Sequence, residues 1–347
     1  SPAAGAGVLR GDTLVQADGV SADEPNEPGV TTLNNALFPS AAGNHTFRFS
    51  RAGTVQPDVV IAAGNVTLTT TEHQVLNVSG ENVGYLLFND HVLTAEQRLI
   101  DAFTDFQNAS VSDLVLDLRY NGGGYLYIAS QVAYMIAGPA RSNNQVFERT
   151  LFNSKRTSEN SDTEFIDLAC LPDPNNNFAC TGSAALPTLN LPRVFVLASE
   201  NTCSASEAIV NGLRGIGVDV RLIGTTTCGK PYGFFGQDNC GITYFPIEFQ
   251  GVNAAGFGDY ASGFVPAGGG AAGVPGCTAN DDLDHALGNP AEGQLAQALF
   301  HRDSGSCMAV ALGSSRVSPL ALRGSKVPAS VIKPAPLTNR NARKPLR

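Results

Sequence analysis

The sequence has no long apolar run, no CxxC spacing, only five histidines and little basic charge outside its last residues. Each shortage removes a class of function. A bilayer-spanning helix needs about 18 or more largely apolar residues, and the best candidate, YLYIASQVAYMIAG at 125–138, has fourteen. No membrane-spanning segment is therefore expected. The N-terminus shows no charged start followed by an apolar core, so no signal peptide is expected within this sequence. With neither CxxC nor His-rich spacing, no zinc site, other metal or cofactor is called for. His45, His73, His91, His285 and His301 sit in no recognisable glycine-framed motif, which argues against a Ser-His-Asp triad. Residues 1–312 carry 14 basic against 31 acidic residues, a formal −17, and such a body repels nucleic acid.

What is present is a chain of 347 residues, 43% hydrophobic and 15% charged, enough to bury a full core and to hold two domains. Residues 1–72 read as a small β-rich module. Asp18-Gly19 is a tight-hairpin signal, Thr46 to Ser50 alternates as a half-buried strand, and a short helix fits over Thr31 to Leu37. Residues 73–312 read as a second domain of β-then-α units. Thr94-x-x-Gln97 is a capping box that opens a helix over 95–107, and Leu114 to Leu118 is a buried strand running into Asn121-Gly122-Gly123-Gly124 and a helix from Tyr125. Val194 to Ala198 then leads through a short turn into a helix over 205–216, and Val218 to Ile223 leads into a lysine-bearing loop. Repeated units of this kind predict an α/β core with its ligand groups at the C-terminal ends of the strands. Residues 140–192, polar and Asn-rich, read as an insertion or lid. Residues 313–347, with eight Lys or Arg and no acid, read as an extended, solvated tail.

The cysteines number seven. Cys170 and Cys180 bracket a polar segment, Cys228 and Cys240 bracket the lysine loop, and Cys277 and Cys307 flank a helical stretch. Three such pairs leave Cys203 alone, although six cysteines allow fifteen connectivities and sequence does not choose among them. Disulfides imply an oxidising, extracytoplasmic compartment: periplasmic, outer-membrane-associated or secreted.

The chemistry concentrates in three segments. Ser204, in Cys203-Ser204-Ala205-Ser206-Glu207, follows an apolar strand through a short polar turn, which exposes its hydroxyl at a strand end. Ser204-x-x-Glu207 is also an ordinary capping box. A serine becomes a useful nucleophile only beside a base, and a lysine serves as that base only when neutral, which burial favours. Lys230 is the candidate base. The N–H of Ala205 at the helix start and the backbone of Gly123 in the glycine turn are candidate donors to an oxyanion. Gly224-Thr225-Thr226-Thr227-Cys228-Gly229-Lys230 also matches GxxxxGK of a phosphate-binding loop, but Pro231 replaces the hydroxyl residue that would hold magnesium. Cys203, at a helix N-terminus, is a rival thiol nucleophile.

Taken in order, LVLDLRYNGGG, SASEA and GTTTCGK resemble the carboxy-terminal processing (tail-specific) serine protease family, and the SPA-rich start, Gly11-Asp12 turn and Asp18-Gly19 hairpin resemble the second half of a PDZ domain. The resemblance covers residues 1 to about 250. It implies a crotonase/ClpP-like α/β protease core preceded by a small β-rich PDZ-like module, and a serine endopeptidase that cleaves unfolded or tail-tagged proteins by a Ser-Lys mechanism. The partner it implies is a protein or peptide substrate; nothing bears on oligomeric state. By the same resemblance Ser204 is the nucleophile, Lys230 the base, and Gly123 and Ala205 the oxyanion donors. Some members orient the lysine with a glutamine four residues on. Here that position is Phe234, so Gln237 is the candidate substitute. The alternative is a non-catalytic ligand- or peptide-binding protein on the same fold, since a shared core does not prove catalysis.

Overall fold

The computed structural model describes residues 1–173, 179–181 and 184–309, and the basic tail expected over 313–347 lies outside them. The described chain falls into two compact units, one built on residues 1–68 with 282–286 and one on 69–281 with 287–309.

The first unit is a small curled sheet. β1 (Thr13–Ala17), β2 (Val20–Ser21), β3 (Asn44–Arg51) and β4 (Thr54–Val55) lie in the order β2-β1-β3-β4, with β5 (Val59–Ala62) also on β3. Asp18 and Gly19, at φ 47° and 81°, form the turn between β1 and β2. Two successive positive φ angles are what a type I′ hairpin demands. Helix α1 (Gly29–Leu37) buries Val30, Leu33 and Ala36, and Leu33 and Ala36 form a core with Ala17 and Phe47.

The second unit carries a six-stranded sheet. In chain order its strands are β6 (Thr71–Val78), β7 (Glu81–Phe88), β8 (Asp113–Asp117), β11 (Arg193–Ala198), β12 (Asp219–Gly224) and β17 (Gly276–Thr278), and in space they run β17-β12-β11-β8-β7-β6. Every pairing is parallel except β6 with β7. β8 and β11 are buried almost throughout, as strands covered on both faces must be. Helices α2 (Ala95–Asn108), α3 (Leu126–Ala137), α4 (Ala205–Gly215) and α5 (Gly293–Ser304) supply the crossovers and covers. The α/β core with a β-rich module ahead of it is thus the observed fold.

Two local expectations change. Thr94 stands before α2 in helical geometry (φ −72°, ψ −7°), and its side chain makes no cap hydrogen bond. A cap residue needs an extended backbone to aim its oxygen at the free amides. Within the segment expected to be an insertion or lid, β9 (Val146–Phe152) pairs with β10 (Ser161–Glu164) and with β16 (Phe249–Val252), which in turn pairs with β13 (Tyr232–Gly233). Phe147, Phe165, Leu186 and Leu191 are buried in the main core. That segment is therefore partly woven into the second unit.

Candidate active site

The parallel strands β8 and β11 end side by side, and the turns that follow them meet. Asp117 and Arg119 close the end of β8. Arg119 is wholly buried and pairs with Asp117, Glu292 and Asp281. An unpaired buried guanidinium would be costly, so the three carboxylates fix this corner. Asn121 then organises the glycine turn. Its Oδ1 accepts from Gly123 N–H at 3.0 Å, its Nδ2 donates to Phe88 O at 2.9 Å, and its backbone O accepts from Cys203 N–H at 3.1 Å and Ser206 Oγ at 3.0 Å. Ser206 is thereby a structural hydroxyl. Thr202 Oγ1 adds a bond to Leu118 O at 2.9 Å.

Gly123 sits directly against the serine. At φ 96° it carries no side chain, and a Cβ there would stand 2.8 Å from Ser204 Cβ and 2.9 Å from Ala205 N. Only glycine permits both that dihedral and that approach. Gly123 N–H is engaged by Asn121, whereas the amides of Gly124 and Ala205 carry no hydrogen bond among the described residues. His91 supports the same turn: its N–H donates to Gly123 O at 3.2 Å, its carbonyl accepts from Tyr125 N–H at 2.8 Å, and its Nδ1 meets Asn121 Oδ1 at 2.9 Å. Because that oxygen is an acceptor, Nδ1 carries the proton. Complete burial pushes the imidazole down to about 3, so it is neutral. The histidines gave no motif signal, yet this one lies under the glycine turn.

Ser204 is the N-cap of α4 and only 2% exposed, with φ 58° and ψ −114°. A non-glycine residue in that region is strained, and such strain clusters at functional sites. Its N–H donates to Glu207 Oε2 at 3.0 Å. The same carboxylate receives the lysine loop, with Lys230 N–H at 2.8 Å on Oε2, and Gly229 N–H at 2.8 Å and Thr227 Oγ1 at 2.6 Å on Oε1. The GxxxxGK loop thus spends its amides on a carboxylate of the protein itself, leaving Gly229 and Lys230 no amide for a phosphate.

Lys230 is partly buried, and desolvation pulls its ammonium below the ordinary lysine range while Glu207 opposes the shift. Nζ makes no hydrogen bond among the described residues, to Ser204 or otherwise. It stands over the Phe234 ring, 4.8 Å from the centroid. Gln237 is not brought to the lysine. It lies in the exposed hairpin β14 (Gln237–Asn239) and β15 (Ile242–Tyr244), and its amide donates to Glu248 Oε1 at 3.0 Å. The residue at the glutamine position itself, Phe234, is the one that meets Nζ.

The cysteine pairing is also corrected. Cys170–Cys180 and Cys277–Cys307 are joined, but Cys228 bonds to Cys203, and Cys240 is free and exposed. The reason is the backbone bond from Cys228 N–H to Thr202 O at 3.1 Å, which sets the lysine loop beside the serine turn, while Cys240 follows β14 in the exposed hairpin. Cys203 is therefore not a free thiol, and the sulfurs grouped with Glu207 are bonded to each other.

This geometry can be set beside known proteins. Residues 82–233 match the model of peptidase family S41. The matched segment contains the glycine turn, the serine turn and the lysine loop, so the likeness to the carboxy-terminal processing proteases extends from the motifs to a family model and a curated relative. A carboxyl-terminal-processing protease of Picosynechococcus sp. (strain ATCC 27264 / PCC 7002 / PR-6) is 24% identical over 239 residues, 66% of this chain and 48% of the relative. The chain thus spans about half the length of that curated relative. A solved structure assigned to the S41 proteases, from Bacteroides fragilis NCTC 9343, is 25% identical with a TM-score of 0.67, covering 88% of this chain and 76% of its own.

Proposed function

We propose that the protein is a serine endopeptidase in which Ser204 attacks the scissile carbonyl and Lys230 accepts its proton. The observation that carries this reading is the strained, buried Ser204 between a glycine turn and a lysine loop, all three inside the S41 segment. In the reaction, Lys230 Nζ leaves the Phe234 ring, takes the hydroxyl proton as Oγ adds to the carbonyl, and returns it to the leaving amine. The developing oxyanion takes the N–H of Ala205 and that of Gly123, which is released from Asn121 as the turn adjusts. The likeness to a carboxyl-terminal-processing protease supports unfolded or tail-tagged proteins as the substrates. Three disulfides among the described residues support an extracytoplasmic location.

The second reading, a non-catalytic binding protein, draws on Lys230 Nζ standing on an aromatic ring instead of on Ser204 Oγ. Incubation with unfolded casein separates the two. Wild type cleaves, whereas Ser204→Ala, Lys230→Ala and Lys230→Arg do not, the arginine because it stays charged. No cleavage by wild type overturns the enzyme reading, equal cleavage by wild type and Ser204→Ala overturns the nucleophile, and an active Lys230→Arg variant overturns the base.

A further inference from the structure

Glu207 is fully buried and, among the described residues, has no ion-pair partner. A buried carboxylate without a cation is tolerated only when donors satisfy its oxygens. Here they come from both catalytic segments: Oε2 takes the N–H groups of Ser204 and Lys230 at 3.0 and 2.8 Å, and Oε1 takes Thr227 Oγ1 and Gly229 N–H at 2.6 and 2.8 Å. A helix cap needs only the first of these bonds. The other three reach residues 20 to 23 positions further along the chain.

We propose that Glu207 is the positioning residue of the site, its one carboxylate fixing the serine turn and the lysine loop in a single registry. This rests on the Ser204–Lys230 reading above. All four partners are donors, so a glutamine would oppose its own NH2 to two of them and spread the loop from the turn. The charge has a second effect, because a carboxylate at this place favours the ammonium of Lys230 against desolvation. The other titratable group facing it is Tyr260, buried and stacked on Phe264. Cys203 and Cys228 are bonded and do not titrate.

The sign of the pH effect follows. Removing the charge lowers the pKa of Lys230, the neutral base persists to lower pH, and the acid limb of the rate profile moves down. The test is the pH profile of kcat and KM on a fluorogenic unstructured peptide, using the full chain as wild type, Glu207→Gln, Glu207→Asp and Lys230→Ala. Glu207→Gln is expected to lose about a hundredfold in kcat through misplacement, with its acid limb lowered by about one pH unit. Glu207→Asp keeps the charge but is one methylene short, and is expected to lose kcat with its limb in place. An unmoved limb in Glu207→Gln overturns the proposal, as does wild-type kcat in either variant. If Glu207→Gln does not fold by circular dichroism, Glu207→Asp decides alone on kcat and limb. Activity in Lys230→Ala would instead overturn the underlying base assignment, so the two failures are distinguishable.

Discussion

On one side of Glu207, the serine turn is tied at each step: Thr202, Cys203 and Ser206 all bond to residues 118–121, and Ser204 N–H is held by the carboxylate. On the other side, the backbone of the lysine loop is tied at Lys230 by the carboxylate and just after it by Gly251 N–H on Pro231 O and the pairing of β13 with β16, but the Lys230 side chain makes no hydrogen bond among the described residues. That side chain rests on Phe234, the Phe234 ring stands 5.4 Å from that of Phe245, and the following hairpin and the segment after it expose Ile242, Tyr244 and Ile247. Under the proposed roles, the nucleophile is preorganised and the base is held by soft contacts. Under the proposed mechanism, lysine placement is the step that conditions can alter.

The comparison breaks most sharply at Gly123. Gly123→Ala adds a methyl where Ser204 Cβ and Ala205 N already stand, and should cut peptide hydrolysis by about a hundredfold or more. Thermal melts should show a stability loss of about 1–3 kcal/mol. Activity near wild type would mean that the rigid side of the site is not rigid. Next in size is the disulfide between the two sides. Cys203→Ser/Cys228→Ser should lose about tenfold in kcat through loosened alignment and about 2–4 kcal/mol in stability. The matched control, Cys277→Ser/Cys307→Ser, should lose stability alone. Equal kcat effects in the two pairs would make the Cys203–Cys228 bond a generic staple.

The smallest effects lie on the soft side. The ring of Phe234 favours the charged amine by about 0.5–2 kcal/mol. Phe234→Leu should therefore lower the lysine pKa and move the acid limb of the pH–rate profile down by about 0.4–1.5 units. Gln237→Ala should change the rate by less than about twofold. A larger loss in Gln237→Ala than in Phe234→Leu would restore the glutamine as the group that orients the base.

The contrast also explains what could be read before the structure. The turns that carry Ser204, Gly123 and Lys230 were legible because each belongs to a short motif at the end of a periodic strand, and the strands and helices around them fall within one or two residues of their expected bounds. The strain at Ser204 was not legible, because a capping-box serine is ordinarily extended. Glu207 read as a local cap, and its three bonds to the lysine loop depend on packing across about twenty residues. For the same reason the sequence sets Cys228 with Cys240, its nearer neighbour along the chain, whereas the fold joins it to Cys203. Gln237 is close to Lys230 along the chain but not in space, because the hairpin carries it to Glu248. Asn121 lacked any local signature beyond preceding three glycines, and His91 had none.

The backbone of Ser204 has a consequence for how this chain could drift. At φ 58° and ψ −114° glycine is the residue of least strain, and a serine there forgoes stability of about 1–3 kcal/mol, less the extra chain entropy a glycine would lose on folding. A lineage indifferent to the hydroxyl would move downhill toward glycine at this position. The serine therefore stands against a thermodynamic gradient, and in a homologue of the same fold a glycine at position 204 would be a direct sign that the chemistry had been given up.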